Sequence, residues 1–192
     1  MYDETQMKII NAAMELIMEK GYASTTTKDI AKSAGINECT IFRKFKGKKE
    51  IVLSAMELPQ WNPCLEETDF KACGDVKSDL ISFSRTYMEK VTPQMVRISI
   101  GLRTPELYDA TADGIMKVPQ TFKKVLNNYF KALQKQGKLT GADTEALSMQ
   151  FVSMNFGFVF LDASFNGRLT KLNKEKYIES SVEIFVRGLG LE

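Results

Sequence analysis

Apolar residues recur along this chain at helical spacing, and the strict alternation of a half-buried strand is nearly absent. Ile9, Ala12, Ala13, Leu16 and Ile17 fall at i, i+3, i+4, i+7 and i+8, on one face of a first helix. Gly21 stops that helix as a left-handed cap, just after Lys20 in its last turn. Thr26-Thr27-Lys28-Asp29 has the form of a capping box, with the acid three residues after the threonine, and opens a short helix through Ser33. Ala34-Gly35-Ile36 breaks it, and Gly35 supplies the positive φ that a sharp turn requires. Asn37 is an N-cap for a third helix, Glu38 to Phe45. Gly47 caps a fourth, from Lys48 to about Leu58.

The stretch from Trp61-Asn62-Pro63 to Gly74 reads as a linker or an irregular segment. Beyond it the pattern predicts helices from Asp75 to about Val91, Pro93 to Arg103, Pro105 to about Met116, Pro119 to Gln136, Asp143 to about Phe165, and Lys174 to Leu189. A break at Val118-Pro119 separates the third and fourth of these. The fold class is therefore all-α with about nine or ten helices. Residues 1–58 form a small helix-turn-helix domain and residues 59–192 a larger helical domain.

Composition narrows the chemistry. The chain has 192 residues with a net charge of +2, so nucleic-acid binding needs a local basic patch. There is no histidine, which removes the commonest general base and metal ligand together with every His-based catalytic triad. Three cysteines, Cys39, Cys64 and Cys73, are too few for an all-cysteine zinc site or a disulfide framework, and suit a reducing cytosol. No metal and no cofactor is expected. The acidic start, Met1-Tyr2-Asp3-Glu4, has no long apolar run behind it and does not read as a signal peptide. The longest apolar stretch, Phe151 to Phe165, is interrupted by Ser153, Asn155, Asp162 and Ser164 and makes a poor membrane span. The expected location is the cytoplasm.

The second and third helices, joined by a glycine-containing turn, form a helix-turn-helix signature. Ile30, Ala31, Ala34, Ile36, Ile41 and Phe45 dock the pair on the first helix. The opposite face of Glu38 to Lys44 stays free, and its N-terminal end fits the major groove of double-stranded DNA. Charge agrees. Arg43-Lys44-Phe45-Lys46-Gly47-Lys48-Lys49 holds five basic residues in seven, while residues 1–58 carry only nine Lys/Arg against eight Asp/Glu. Lys48 and Lys49 lie in the first turn of a helix, where the macrodipole disfavours cations; a bound phosphate relieves that conflict.

The run from Gly21-Tyr22-Ala23 through Thr26-Thr27-Lys28-Asp29-Ile30-Ala31 to Gly35-Ile36, followed by Thr40-Ile41-Phe42-Arg43-Lys44-Phe45-Lys46-Gly47-Lys48-Lys49-Glu50, resembles the DNA-binding domain of the TetR family. The likeness spans about residues 5–56. It implies a homodimeric transcriptional regulator, usually a repressor, with a C-terminal ligand-binding and dimerisation domain. Carried over by position, Thr26, Thr27 and Lys28 start helix two and touch the DNA backbone. Asn37, Glu38, Cys39 and Thr40 start the recognition helix, Phe42, Arg43 and Lys44 lie further along it, and Lys48 clamps a phosphate. Phe42 stands where a tyrosine is usual, so a phenolic bond to phosphate gives way to contact with a thymine methyl or a sugar. Glu38 repels phosphate but can accept from a cytosine amine. Either Arg43 or Lys44 is expected to read a guanine. Cys39 stands in place of a common Gly or Pro, as a small groove-facing residue or as a thiol made reactive by nearby cations.

Ten of the twelve Phe lie beyond residue 58, so the larger domain is where an aromatic-lined cavity is expected. Its candidate lining is Phe83, Tyr87, Met88, Met95, Ile98, Met116, Phe122, Phe151, Met154 and Phe158, residues suited to an apolar or aromatic small molecule. The helix from Asp143 is apolar nearly all round and needs cover on every side. A second subunit, pairing through the last two long helices, supplies it. Asp162 is the only charge between Glu145 and Arg168, and either pairs with an arginine or selects a cationic ligand. Two other readings compete: the same fold under the control of a protein partner with no small effector, and an enzyme. The enzyme fits poorly, with no histidine, no phosphate loop and no acid pair.

Overall fold

A computed structural model describes residues 2–62 and 64–191. Among them are nine α-helices, one 3₁₀ turn and no strand. The helices are α1 (Glu4–Lys20), α2 (Thr27–Ala34), α3 (Glu38–Lys44), α4 (Lys48–Met56), α5 (Val76–Lys90), α6 (Pro93–Gly101), α7 (Pro105–Lys135), α8 (Thr144–Phe165) and α9 (Lys174–Gly188). The 3₁₀ turn, Glu67–Asp69, falls in the stretch read as a linker.

Most helix starts are fixed by local chemistry. Asp3 and Gln6 form a capping box on α1, and Thr26 and Asp29 form one on α2. Asn37, Asp75, Asp143 and Asn173 each accept from backbone N–H groups in the first turns of α3, α5, α8 and α9. Pro93 and Pro105 open α6 and α7, where a missing N–H costs nothing. Gly21 ends α1 at φ 81° and ψ 161°, a positive φ but not the left-handed helical cap expected.

The expected break at Val118-Pro119 does not occur: α7 runs through Pro119. Proline inside a helix costs about 3 kcal/mol through the lost hydrogen bond and the clash with the carbonyl four residues back. The helix nevertheless continues through the proline, with Val118 buried just before it and Phe122, Leu126, Phe130 and Leu133 buried after it.

The helices gather into two compact units, each drawn from two stretches of chain. Met1–Pro63 joins Gln94–Met116, and Cys64–Pro93 joins Lys117–Glu192. The first unit thus holds α1 to α4, α6 and the start of α7, whereas a division read along the chain falls at residue 58. Ile9, Ala13, Ile17, Ile30, Ile41 and Ile51 form its core together with Ile98, Leu102 and Leu107.

The second unit is built on stacked aromatics. The Phe122 ring lies 4.3 Å from Tyr87 and 5.3 Å from Phe70, and Phe83 meets Tyr129 edge-on at 5.2 Å. Phe151 and Phe130 both reach Phe185 of α9. Lys77 and Arg85 of α5 pair with Glu183 and Glu175 of α9. By length and composition α8 is long and apolar enough to cross a membrane. Within the unit its Leu147, Phe151, Val152 and Val159 are buried, and Ser148 and Asn155 donate back to carbonyls one turn earlier.

Candidate nucleic-acid interface

The turn between α2 and α3 hinges on Gly35, at φ 66° and ψ 35°, a conformation that a Cβ disfavours. Ile41 is fully buried and Phe45 nearly so, which anchors one face of the seven-residue α3 on the core. One side-chain bond then caps α3 and a second sets how it meets α2. Asn37 accepts from the Cys39 N–H at 2.9 Å, and the Thr27 hydroxyl donates to Glu38 at 2.6 Å. The second bond ties the leading ends of the two helices together.

The residues of the expected interface divide by what they already touch. Thr26, Thr27, Asn37 and Glu38 are engaged in caps or in the α2–α3 bond. Lys44 pairs with Asp3, which draws it back onto α1 and holds the Asp3 carboxyl below its ordinary value. Asp29 is pulled down to about 2 by Lys20, with help from the Thr26 hydroxyl and N–H. Thr40 is half-buried beside the turn. Cys39, Phe42 and Arg43, at i, i+3 and i+4, form the outward edge of α3, and Phe42 is 56% exposed. Lys28 is exposed on α2. Lys46 and Lys49 are exposed as well; Lys46 was not among the expected contacts, and Lys49 was expected only beside Lys48, as a first-turn cation that a bound phosphate relieves. None of Lys28, Arg43, Lys46 and Lys49 has an ion-pair partner among the described residues.

Lys48 is placed differently. Its Nζ donates to the carbonyls of Tyr22 at 2.6 Å and Thr25 at 2.7 Å, and lies 3.8 Å from the centre of the Tyr22 ring. Burial pushes this ammonium below its ordinary value, against the pull of Glu106. Two of its three N–H groups are therefore taken within the protein, and one remains. The Tyr22 hydroxyl donates to Glu106 at 2.9 Å, and burial, then that carboxylate, pushes the phenol above its ordinary value. Nothing in the local pattern pointed to a bond between Tyr22 and Glu106, which are 84 residues apart.

The ten residues expected to line a ligand cavity are divided between the two units. In the second unit Tyr87 and Phe151 meet Phe122, and Phe83 joins the same cluster through Phe70. Ile98 belongs to the core of the first unit, and Met95 lies half-buried on α6. Met116 is exposed near the start of α7. Met88 and Phe158 do line one cleft of the second unit, with Val159, Leu172, Glu89 and Asp162. Phe158 stacks on Tyr177, whose hydroxyl donates to the carbonyl of Met154. Among the described residues no group of His, Cys, Asp and Glu is placed to hold a metal.

Two family models match the chain. One describes bacterial regulatory proteins of the TetR family, over residues 9–55, and the other the C-terminal domain of AefR-like transcriptional repressors, over residues 79–188. The HTH-type transcriptional regulator YvkB of Bacillus subtilis is 31% identical over 191 residues, 98% of each chain. IcaR of Staphylococcus aureus, the negative transcriptional regulator of the biofilm operon icaADBC, is 24% identical over 88% of this chain and 89% of its own. The structure of FadR of Bacillus subtilis in complex with stearoyl-CoA shares the fold, with a TM-score of 0.68, 22% identity and coverage of 95% and 98%. Both units thus fall under family models of one kind, and a relative matches nearly end to end. The chain belongs to the TetR family of bacterial transcriptional regulators, DNA-binding proteins rather than enzymes.

Proposed function

We propose that this chain is a repressor that binds a pseudo-palindromic operator as a homodimer in the cytoplasm and is released by an apolar or aromatic small molecule. The observation that carries the reading is the outward edge of α3. Cys39, Phe42 and Arg43 face solvent on a scaffold whose neighbouring polar groups are already bonded, with Lys28, Lys46 and Lys49 exposed and without ion pairs among the described residues. Arg43 reads a guanine in the major groove, Phe42 packs on a thymine methyl or a sugar, and the lysines meet phosphates. Of the two candidates for the guanine contact, the Asp3–Lys44 pair favours Arg43.

Dimerisation through α8 and α9 is supported by the apolar side chains these helices leave uncovered. Met149, Leu161 and Phe165 of α8 are exposed, and Ile184 of α9 is 70% exposed. Two such subunits place their recognition helices one DNA turn apart, or a multiple of it. The cleft of about 560 Å³ lined by Met88 and Phe158 is the candidate ligand site. The close stacking of Phe122 between Tyr87 and Phe70 favours a second reading, in which a protein partner and not a small molecule releases the DNA.

Selection of bound sequences from random DNA by the full-length protein tests the core of this reading. Arg43→Ala should relax preference at one position of each half-site, and Lys46→Ala should weaken all sequences alike. An Arg43→Ala variant that keeps full affinity and full preference refutes it.

A further inference from the structure

The corner between α6 and α7, Gly101 to Glu106, belongs to the same compact unit as the helix-turn-helix. It is fastened there by contacts that the DNA edge itself does not need. The Tyr22 N–H donates to the Gly101 carbonyl at 3.3 Å, and the Tyr22 hydroxyl donates to Glu106 at 2.9 Å. Gly101 lies so close to α1 that a Cβ would stand 3.0 Å from the Ile17 carbonyl oxygen. On the other side of Tyr22, Lys48 covers the ring and holds the carbonyls of Tyr22 and Thr25. Thr25 immediately precedes Thr26, the cap of α2, and α2 is bonded to the leading end of α3 through Thr27 and Glu38. An unbroken chain of contacts therefore runs from the first turn of α7 to the recognition helix.

We propose that Glu106 is a positioning residue for DNA binding: through Tyr22 it fixes the loop that sets α2 and α3, so that the first turn of α7 and the recognition helix move as one body. The proposal rests on the reading that α3 enters operator DNA, and it names the route by which that contact is regulated. α7 begins at this corner and continues as one helix into the second unit. A displacement of the first turn of α7 then reaches α3 through two side chains, Glu106 and Tyr22. With its phenol held protonated by burial and by the Glu106 carboxylate, Tyr22 stays a donor throughout the working range of pH.

The test uses the full-length protein and DNA carrying two inverted half-sites at spacers of varied length, near 10 °C, with folding followed by circular dichroism. Tyr22→Phe removes only the hydroxyl and keeps the ring beneath Lys48. Glu106→Ala removes the acceptor, and Glu106→Gln keeps one. Loss of the latch lowers the fraction of molecules with α3 correctly set, so Tyr22→Phe and Glu106→Ala should each weaken operator binding by about tenfold. The double variant should be no weaker than either single one, because both break one bond. Glu106→Gln should stay within about threefold of wild type. Preference among spacer lengths should broaden in Tyr22→Phe and Glu106→Ala alone. Glu106 is exposed, so its variants report on the bond even if Tyr22→Phe fails to fold. Variants that melt lower yet bind with wild-type affinity and spacer preference overturn the proposal, leaving the bond a contributor to stability only. A wild-type protein that enriches no sequence overturns the DNA reading, and the positioning role with it.

Discussion

Asp79 of α5 is 1% exposed, and its carboxylate accepts three hydrogen bonds: from the Cys73 N–H at 2.6 Å, the Gly74 N–H at 3.1 Å and the Tyr129 hydroxyl at 2.9 Å. Burial pushes this carboxyl up, but the N–H and thiol of Cys73, the Tyr129 hydroxyl and the Gly74 N–H outweigh it, and the group sits below its ordinary value. Asp79→Asn keeps the shape and removes the charge. It also turns an amide N–H₂ toward groups that are themselves donors. A hydrogen bond to a charged group contributes about 1.5–3 kcal/mol. The two backbone donors lie in exposed residues and regain water, so the net loss is about 2–4 kcal/mol. At roughly 2–4 °C per kcal/mol for a chain of this size, the second unit should melt about 4–16 °C lower at pH 7. The sign of the pH dependence follows from the lowered folded value. The contribution of Asp79 is complete above the ordinary carboxyl range and is lost as pH falls through the depressed one. Thermal melts followed by circular dichroism should therefore show a constant gap between wild type and Asp79→Asn from about pH 8 to pH 5, closing below about pH 4. A variant that melts with wild type at pH 7, or a gap as wide in acid as at neutrality, refutes the reasoning.

Lys48→Ala should destabilise the first unit by about 1–3 kcal/mol in a urea melt, because two carbonyls and a ring lose their partner. Its plot of log affinity against log salt should keep most of its slope, whereas Lys46→Ala should lower that slope by about 1. Gly101→Ala gains up to about 1 kcal/mol of helix propensity but forces a Cβ onto the Ile17 carbonyl, so a net loss of about 1–2 kcal/mol should appear in the same melt. Ile184→Glu combined with Leu161→Glu should convert a dimer to a monomer by light scattering while helix content is kept; a dimer that persists excludes α8 and α9 as the contact.

The helix-turn-helix was legible because its signals are local. The Thr26–Asp29 capping box, the left-handed Gly35 and the Asn37 cap lie within a dozen residues, and each acts on its immediate neighbours. The exposed edge of α3 followed from the buried side, since Ile41 fixes which face turns outward. Long-range partners were not legible. Lys48 reads as one more cation in a basic run until tertiary packing brings two backbone carbonyls and a ring beside it. Lys44 likewise meets an acid 41 residues earlier. Pro119 shows a local rule that fails here: α7 continues through it, with Val118 and Phe122 buried on either side. Aromatic composition marked the second unit as rich in rings, but periodicity carries no information on whether rings stack on each other or surround a space. Five of the ten candidate ligand residues make ring-to-ring contacts there, and Ile98 serves another core altogether.

The assembly of the first unit from two separated stretches bears on any attempt to build hybrid regulators. A graft cut after the fourth helix would carry the operator-reading surface to a new host but leave behind Ile98, Leu102 and Leu107, and so expose the oily seat they normally fill. A transplant that takes residues 1–63 together with 94–116 brings its own floor, and what must then be matched to the recipient sensor is the register of a single rod continuing past Met116.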